Sequence, residues 1–180
     1  REATIDDLKS FGLDYNFTVN EIPSQDIESI AVSSTKVRNA LNSGDLKTAN
    51  QFLGRPFGLT GTVVKGDGIG KKFGFPTANI QVKEDYKLRP QNGVYLVRSK
   101  LAGIEFFGMM NIGMRPTVSG KITQTEIHFF NLDQNLYDLE ISLEVLEKIR
   151  EEVKFNSTNE LTEQLKKDRI NCEEIIAEYK

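Results

Sequence analysis

The sequence predicts a mainly β fold with flanking helices: a small antiparallel barrel preceded by the tail of an α/β unit. Three observations predict it. The spacing of apolar residues changes from a period of about 3.6 to about 2 near Gly61, and returns to the helical period after residue 156. Between those points six short runs alternate apolar and polar residues, at 61–65, 77–81, 93–100, 104–111, 122–130 and 139–146. No helix-length run separates them, which excludes parallel βαβ crossovers and leaves antiparallel pairing. Six short strands with regular turns suit a small barrel.

Taken in order, the chain opens with mixed signals over residues 1–32. A short helix at 3–10, the turn-like Gly12 and a strand at 16–19 read as the end of an α/β unit, and no chemistry stands out there. From Ser33 the pattern sharpens. Ser33 or Ser34 suits a helix N-cap, Val37, Ala40 and Leu41 share a face, and Gly44 ends the helix. Asp45 then caps a second short helix carrying Leu46, Ala49, Phe52 and Leu53, which Gly54 ends. Within the β region Asn92-Gly93, Ala102-Gly103 and residues 133–135 supply turn chemistry. Near the C-terminus Ser157 with Glu160 forms a capping box, and Asn171 with Glu174 repeats the device, so one broken helix or two short ones are expected.

Composition excludes several classes of function. A chain of 180 residues suffices for one domain plus an appendage. No apolar run approaches the roughly 18 residues that a membrane helix requires, and the charged start REATIDDLK is no signal peptide. Cys172 is the only cysteine, so no intrachain disulfide forms and a reducing cytoplasm is the expected compartment. His128 is the only histidine, which excludes sites that need two. A net charge of −3 argues against nucleic-acid binding, and the stretch 122–146 carries Glu126, Asp133, Asp138, Glu140 and Glu144 with no basic residue. The first residue is Arg rather than Met, so a fragment of a longer polypeptide is expected.

The stretch with the most chemistry is 66–79, GDGIGKKFGFPTAN, with four glycines and two adjacent lysines. Gly66, Gly68 and Gly70 at alternate positions, followed by Lys71 and Lys72, suit a polyphosphate approached by backbone N–H groups. Thr77 and Asn79 point to one side of an extended segment, and their oxygens are hard ligands of the kind Mg²⁺ accepts beside phosphate oxygens. The same composition suits a long glycine-rich hairpin loop with solvated lysines. Two familiar phosphate motifs fail. Only three residues separate Gly66 from Gly70-Lys71, and Lys72 stands where a P-loop has Ser or Thr. The dinucleotide fingerprint would need glycine at Lys71 or Phe73. A nucleotide bound here sits in another fold. Ser33, Ser34, Thr35 and Lys36 at a helix start suit either a phosphate or ordinary capping.

In TQTEIHFF, alternation places Ile127 and Phe129 on one strand face and Glu126 and His128 on the other. A carboxylate beside a nucleotide can orient and deprotonate an attacking hydroxyl, whereas an arbitrary strand Glu faces solvent. His128 reads as structural, hydrogen-bonded near the barrel rim. Arg150 suits a phosphate or a planar ring, and equally suits its acidic neighbours Glu151 and Glu152.

At these residues the chain resembles the bifunctional bacterial riboflavin kinase/FAD synthetase family. The ordered segments are SSTKVRNALNSGD at 33–45, LGRPF at 53–57, GTVVKGDGIGKKFGFPTANI at 61–80, NGVY at 92–95, GMMNIGMRPTV at 108–118, TEIHFF at 125–130 and IREEVKFNSTNELTEQLKKD at 149–168. The resemblance implies a riboflavin kinase domain at 54–180, a six-stranded antiparallel Greek-key barrel with a C-terminal helix. It also implies that 1–53 is the end of an FMN adenylyltransferase domain of the nucleotidyltransferase superfamily, whose earlier part is missing. On this likeness Thr77 and Asn79 are ligands of Mg²⁺ and of the ATP phosphates, and Gly66, Gly68, Gly70, Lys71 and Lys72 cover those phosphates. Glu126 becomes the catalytic base, and Arg150, Asn111 and Arg115 lie on the flavin side. Ser33, Ser34, Thr35, Lys36 and Arg38 match the adenylyltransferase's second ATP motif; its first, histidine-based motif has no counterpart, since His128 is the only histidine.

Two departures bear on the flavin side: Asp138 stands where a glycine commonly follows the tyrosine, and Val153 where a basic residue is common. The implied activity is transfer of the ATP γ-phosphoryl to the riboflavin 5′-hydroxyl, giving FMN, with FAD synthesis expected of the parent and not of this chain. The rival reading is a non-catalytic nucleotide- or flavin-binding module.

Overall fold

The computed structural model describes residues 4–21, 26–27, 30–84, 86–117 and 120–179, with the side chains of Asp26, Ile30 and 115–122 outside the described part. Contacts divide the chain into Arg1–Val32 and Ser33–Lys180. In the first unit, helix α1 spans Ile5–Tyr15, and Thr4 and Asp7 cap it reciprocally. The helix runs past Gly12 because its last turn closes elsewhere: Asn16 adopts a left-handed conformation, and the Phe17 N–H donates to the Gly12 carbonyl at 3.0 Å. A Cβ on Gly12 would stand 2.6 Å from the Phe17 oxygen, so this glycine serves the returning chain rather than a turn at its own position. No strand forms at 16–19, because that stretch leaves the helix cap as irregular chain; a two-residue ladder of β1 (Asp26–Ile27) with β2 (Ile30–Ala31) appears instead.

The second unit begins with α2 (Ser34–Ser43), capped by Ser33, and α3 (Leu46–Leu53), capped by Asp45. Gly44 and Gly54 end them in left-handed conformations. Ala40, Leu41, Leu46 and Ala49 are buried in the same core as the barrel interior, so both helices pack with the barrel. Asn50 fastens α3 to it. The Asn50 amide donates to the Val145 and Leu146 carbonyls at 3.0 and 3.2 Å, and its oxygen accepts from the Phe57 N–H at 2.7 Å.

Six strands then close a barrel: β3 (Phe57–Val64), β4 (Ala78–Gln81), β5 (Gly93–Leu101), β6 (Ile104–Thr117), β7 (Gly120–Phe129) and β8 (Glu140–Arg150). Their order around the barrel is β3-β4-β7-β6-β5-β8, with antiparallel neighbours. Strands β5, β6 and β7 form a meander and β8 returns beside β5, which is the Greek-key arrangement. The first strand starts four residues before Gly61, since Phe57 and Leu59 find partners on β8 at Val145 and Leu143. The β6–β7 hairpin likewise reaches Thr117 and Gly120, through Pro116. Asn92-Gly93 begins β5 and does not join neighbouring strands, because β4 and β5 are not adjacent.

Two apolar layers result. Tyr95, Val97, Met110, Ile127 and Leu143 fill the interior; Val94, Leu96, Met109 and Leu146 form an outer layer with Cys172 and Ile176 of α4 (Thr158–Ile176). Helix α4 is continuous, so no cap forms at Asn171. The helix carries buried Asp168, Cys172 and Ile176 through that region, and an Arg169–Glu173 ion pair spans the expected break. Only half of the capping box at its start forms: Ser157 accepts from the Glu160 N–H, while Glu160 accepts from the Asn156 N–H.

Candidate active site

The outer wall of the barrel carries one row of residues in direct register. Asn79 on β4 stands opposite Glu126 on β7, Glu126 opposite Asn111 on β6, Asn111 opposite Val94 on β5, and Val94 opposite Arg150 on β8. Directly opposed residues share a sheet face, so five strands deliver this row to one side. Strand β8 reaches it through two bulges, at Leu146 and Ile149, which re-aim its end. A cleft of about 430 Å³ lies over the row. Its floor includes Asn79, Glu126, Asn111 and Gln124. One wall is the glycine loop with Thr77, and the other is formed by Arg150, Glu152, Val153 and Phe155 with Leu161 and Leu165 of α4.

The loop is shaped by close approach. A Cβ on Gly66 would stand 1.9 Å from the Asn79 side-chain nitrogen, so the chain leaving β3 lies directly on that carboxamide. Gly70–Phe73 then forms a single 3₁₀ turn, which the Phe75 N–H closes onto the Gly70 carbonyl at 3.0 Å. Gly68 and Gly70 line the cleft; Lys71 and Lys72 are exposed on the turn and do not.

Asn79 is only 8% exposed. Its Oδ1 accepts from Gln124 Nε2 at 2.6 Å, and the same nitrogen donates to Glu126 Oε1 at 2.7 Å. Nothing in the sequence singled out Gln124, because a glutamine two residues before a strand Glu is unremarkable without knowledge of which strand lies opposite. His128, 7% exposed, also lines the cleft. Its Nδ1 donates to the Pro76 carbonyl at 2.8 Å, and Phe75 and Phe130 meet the ring edge-on. Burial chiefly lowers its pKa below the ordinary histidine value. It is therefore a neutral, pinned ring that braces the loop.

Arg150 lines the cleft, but its guanidinium is engaged. Nε donates to both Asp168 oxygens at 2.9 and 3.0 Å, Nη2 donates to Oδ2 at 2.8 Å, and Nη1 donates to the Glu151 carbonyl at 2.9 Å. The Phe155 ring lies 5.8 Å away. Asp168 is 2% exposed and also accepts from Gln164. The partner is thus a carboxylate eighteen residues on, rather than the side chains of Glu151 or Glu152. Glu152 turns instead to Asn92 and packs against Gly113. Asn111 belongs to the floor, whereas the Arg115 side chain lies outside the described residues. Asp138 lies outside the cleft lining and takes the left-handed conformation (φ 66°) that glycine would favour, which aspartate tolerates. Ser33, Ser34, Thr35, Lys36 and Arg38 sit at the start of α2, and none of them lines the cleft.

A family model described as Flavokinase: Riboflavin kinase matches residues 53–176. The bifunctional riboflavin kinase/FMN adenylyltransferase of Buchnera aphidicola subsp. Schizaphis graminum is 40% identical over 183 residues, covering 99% of this chain and 57% of its own length. The protein of the same description from Bacillus subtilis is 40% identical over 141 residues, covering 77% of this chain and 44% of its own. A crystal structure described as a macrolide-efflux protein from Streptococcus pneumoniae has a TM-score of 0.81 at 32% identity, over 93% of this chain and 54% of that one. Among the described residues of this chain no helix is long and apolar enough to cross a membrane. The chain spans about half the length of the curated relatives it matches.

Proposed function

The chain belongs to the riboflavin kinase family, and from that premise we propose that its cleft binds ATP and riboflavin side by side and transfers the γ-phosphoryl group to the 5′-hydroxyl. The observation that carries this reading is the register of Asn79 and Glu126 beneath the glycine loop. It brings a hard neutral oxygen and a carboxylate to neighbouring points on one face. In the proposed reaction the riboflavin oxygen attacks the γ-phosphorus and its proton passes to the Glu126 carboxylate. The bond from γ-phosphorus to the bridging oxygen breaks, and ADP leaves with the electron pair. Phe75, Val94, Met109, Phe155, Leu161 and Leu165 give the same cleft an apolar lining suited to a planar ring.

The donor set fits magnesium held jointly with a nucleotide. Among the described residues no group of three or more His, Cys, Asp or Glu could hold a metal ion. The Thr77 hydroxyl and the Asn79 carboxamide oxygen are neutral hard donors in a cleft lining that also includes Asp67, and Mg²⁺ is commonly held by few protein ligands plus phosphate oxygens. Bound there, magnesium supplies charge neutralisation on the phosphates. Backbone N–H groups of the loop 66–70 would face the phosphates, and the wall from Arg150 to Phe155 would exclude water.

For the whole polypeptide we propose FMN adenylyltransferase activity as well, with residues 1–53 as the end of that domain, 54–180 as the kinase domain and the cytoplasm as its compartment. The residues at 33–38 supply one motif of the adenylyltransferase site, so this chain alone is expected to make no FAD. The test is incubation with riboflavin, ATP and Mg²⁺, followed by separation of the flavins. FMN is the expected product. Unchanged riboflavin in the presence of bound nucleotide would favour the non-catalytic module, and FAD would overturn the expectation for the adenylyltransferase.

A further inference from the structure

Gln124 joins the two groups on which the proposed transfer depends. Its Nε2 lies 2.6 Å from Asn79 Oδ1 and 2.7 Å from Glu126 Oε1. Both neighbours present oxygen, so only the amide end of the carboxamide satisfies them, with one hydrogen for each. The geometry follows from the strands. Gln124 and Glu126 are two apart on β7 and share a face, while Asn79 stands opposite Glu126 on β4. The Gln124 side chain therefore reaches diagonally across the ladder, the distance at which long side chains of neighbouring strands still meet.

We propose that Gln124 is a positioning residue for phosphoryl transfer, its amide nitrogen holding the Glu126 carboxylate against Asn79. The inference rests on the assignment of Glu126 as the base. A glutamate side chain has three rotatable torsions, and a hydrogen bond to its charged oxygen selects one orientation among them. With Oε1 held by this bond, the carboxylate is fixed in its orientation relative to Asn79. The Asn79 oxygen keeps its second lone pair for the nucleotide side. One amide thus sets the distance between the group that takes the proton and the group that faces the phosphates. Misplacement of a reacting group by an ångström is enough to cost a large factor in rate.

The test is a double-mutant cycle read by kcat and by the KM of each substrate, using Gln124→Leu, Gln124→Glu, Glu126→Gln and the combination of Gln124→Leu with Glu126→Gln. In the wild-type background Gln124→Leu is expected to lower kcat roughly 10–100-fold with both KM values nearly unchanged. Gln124→Glu keeps the shape but removes the donor, so an equal or larger loss separates hydrogen bonding from packing. With Glu126→Gln already present, Gln124→Leu is expected to cost almost nothing further, because no base remains to be positioned. Equal fold-losses in the two backgrounds overturn the proposal, as does a loss confined to KM or a fully active Gln124→Glu. A fully active Glu126→Gln removes the base assignment and this inference with it, so the two failures are read in different variants.

Discussion

The floor of the cleft and its two walls are built on opposite principles. Asn79, Glu126 and Asn111 sit within ladders on β4, β7 and β6, where the backbone of each strand is held on both sides. The walls are segments outside the sheet. The loop 66–75 is held by one 3₁₀ turn, by its contact with Asn79 and by the Phe75–His128 ring contact, and the segment 151–156 by the side chains of Glu160 on α4 and of Asn92, just before β5. A floor of this kind carries chemistry that demands fixed geometry, whereas the walls can yield as substrates enter. The Arg150–Asp168 pair is the exception, since it ties the far wall to a buried carboxylate.

The largest expected effect falls on the floor. Glu126→Gln should lower kcat by about 10²–10⁴ with little change in thermal stability, measured by FMN formation and by a melting curve. Wild-type turnover would remove Glu126 from the mechanism. On the far wall Arg150→Ala should act on stability instead, by about 3 kcal/mol, because it leaves Asp168 buried without its cation. Chemical denaturation reads this directly, and a variant with normal stability but no riboflavin binding would restore Arg150 to the ligand. Gly66→Ala should carry a change in the near wall onto the floor. Its Cβ would displace the Asn79 carboxamide, the end of a flexible side chain, so stability should hold while the KM for ATP rises about tenfold.

Smaller effects sharpen the contrast. Lys71→Ala and Lys72→Ala, on exposed side chains away from the cleft lining, should each raise the ATP KM by no more than about threefold, and less at high salt. A tenfold rise would mean that the loop closes far enough to bring these ammonium groups onto the nucleotide. His128 should produce the smallest effect, a slope with pH. Its folded pKa lies below the ordinary value of 6.5, chiefly through burial, so the unfolded chain takes up a proton first as pH falls. Its contribution to stability is therefore full above about pH 6.5 and declines below that, through the lower folded value. His128→Gln should flatten that part of the stability profile.

Much of this fold was legible in local pattern. The six strands, the caps at Ser33 and Asp45, the stops at Gly44 and Gly54 and the start of α4 at Ser157 each depend on neighbours within a few residues. Two errors concern where a helix ends. The N-terminal helix runs past Gly12 because its left-handed cap forms at Asn16, and no break occurs at Asn171 because Asp168, Cys172 and Ile176 are buried along one continuous helix.

At the site, residue type and alternation made the glycines, Thr77, Asn79 and Glu126 candidates beside open alternatives, and their proposed roles came from the family resemblance. Only the tertiary structure decided who their neighbours are. That Asn79 faces Glu126, that Gln124 joins them and that Arg150 is held by Asp168 all depend on which strands pair and in what register, and on the helix that packs against them. A strand's own sequence specifies which of its side chains share a face. It does not specify the strand that will lie beside it, and barrel closure brings residues some fifty positions apart within hydrogen-bonding distance.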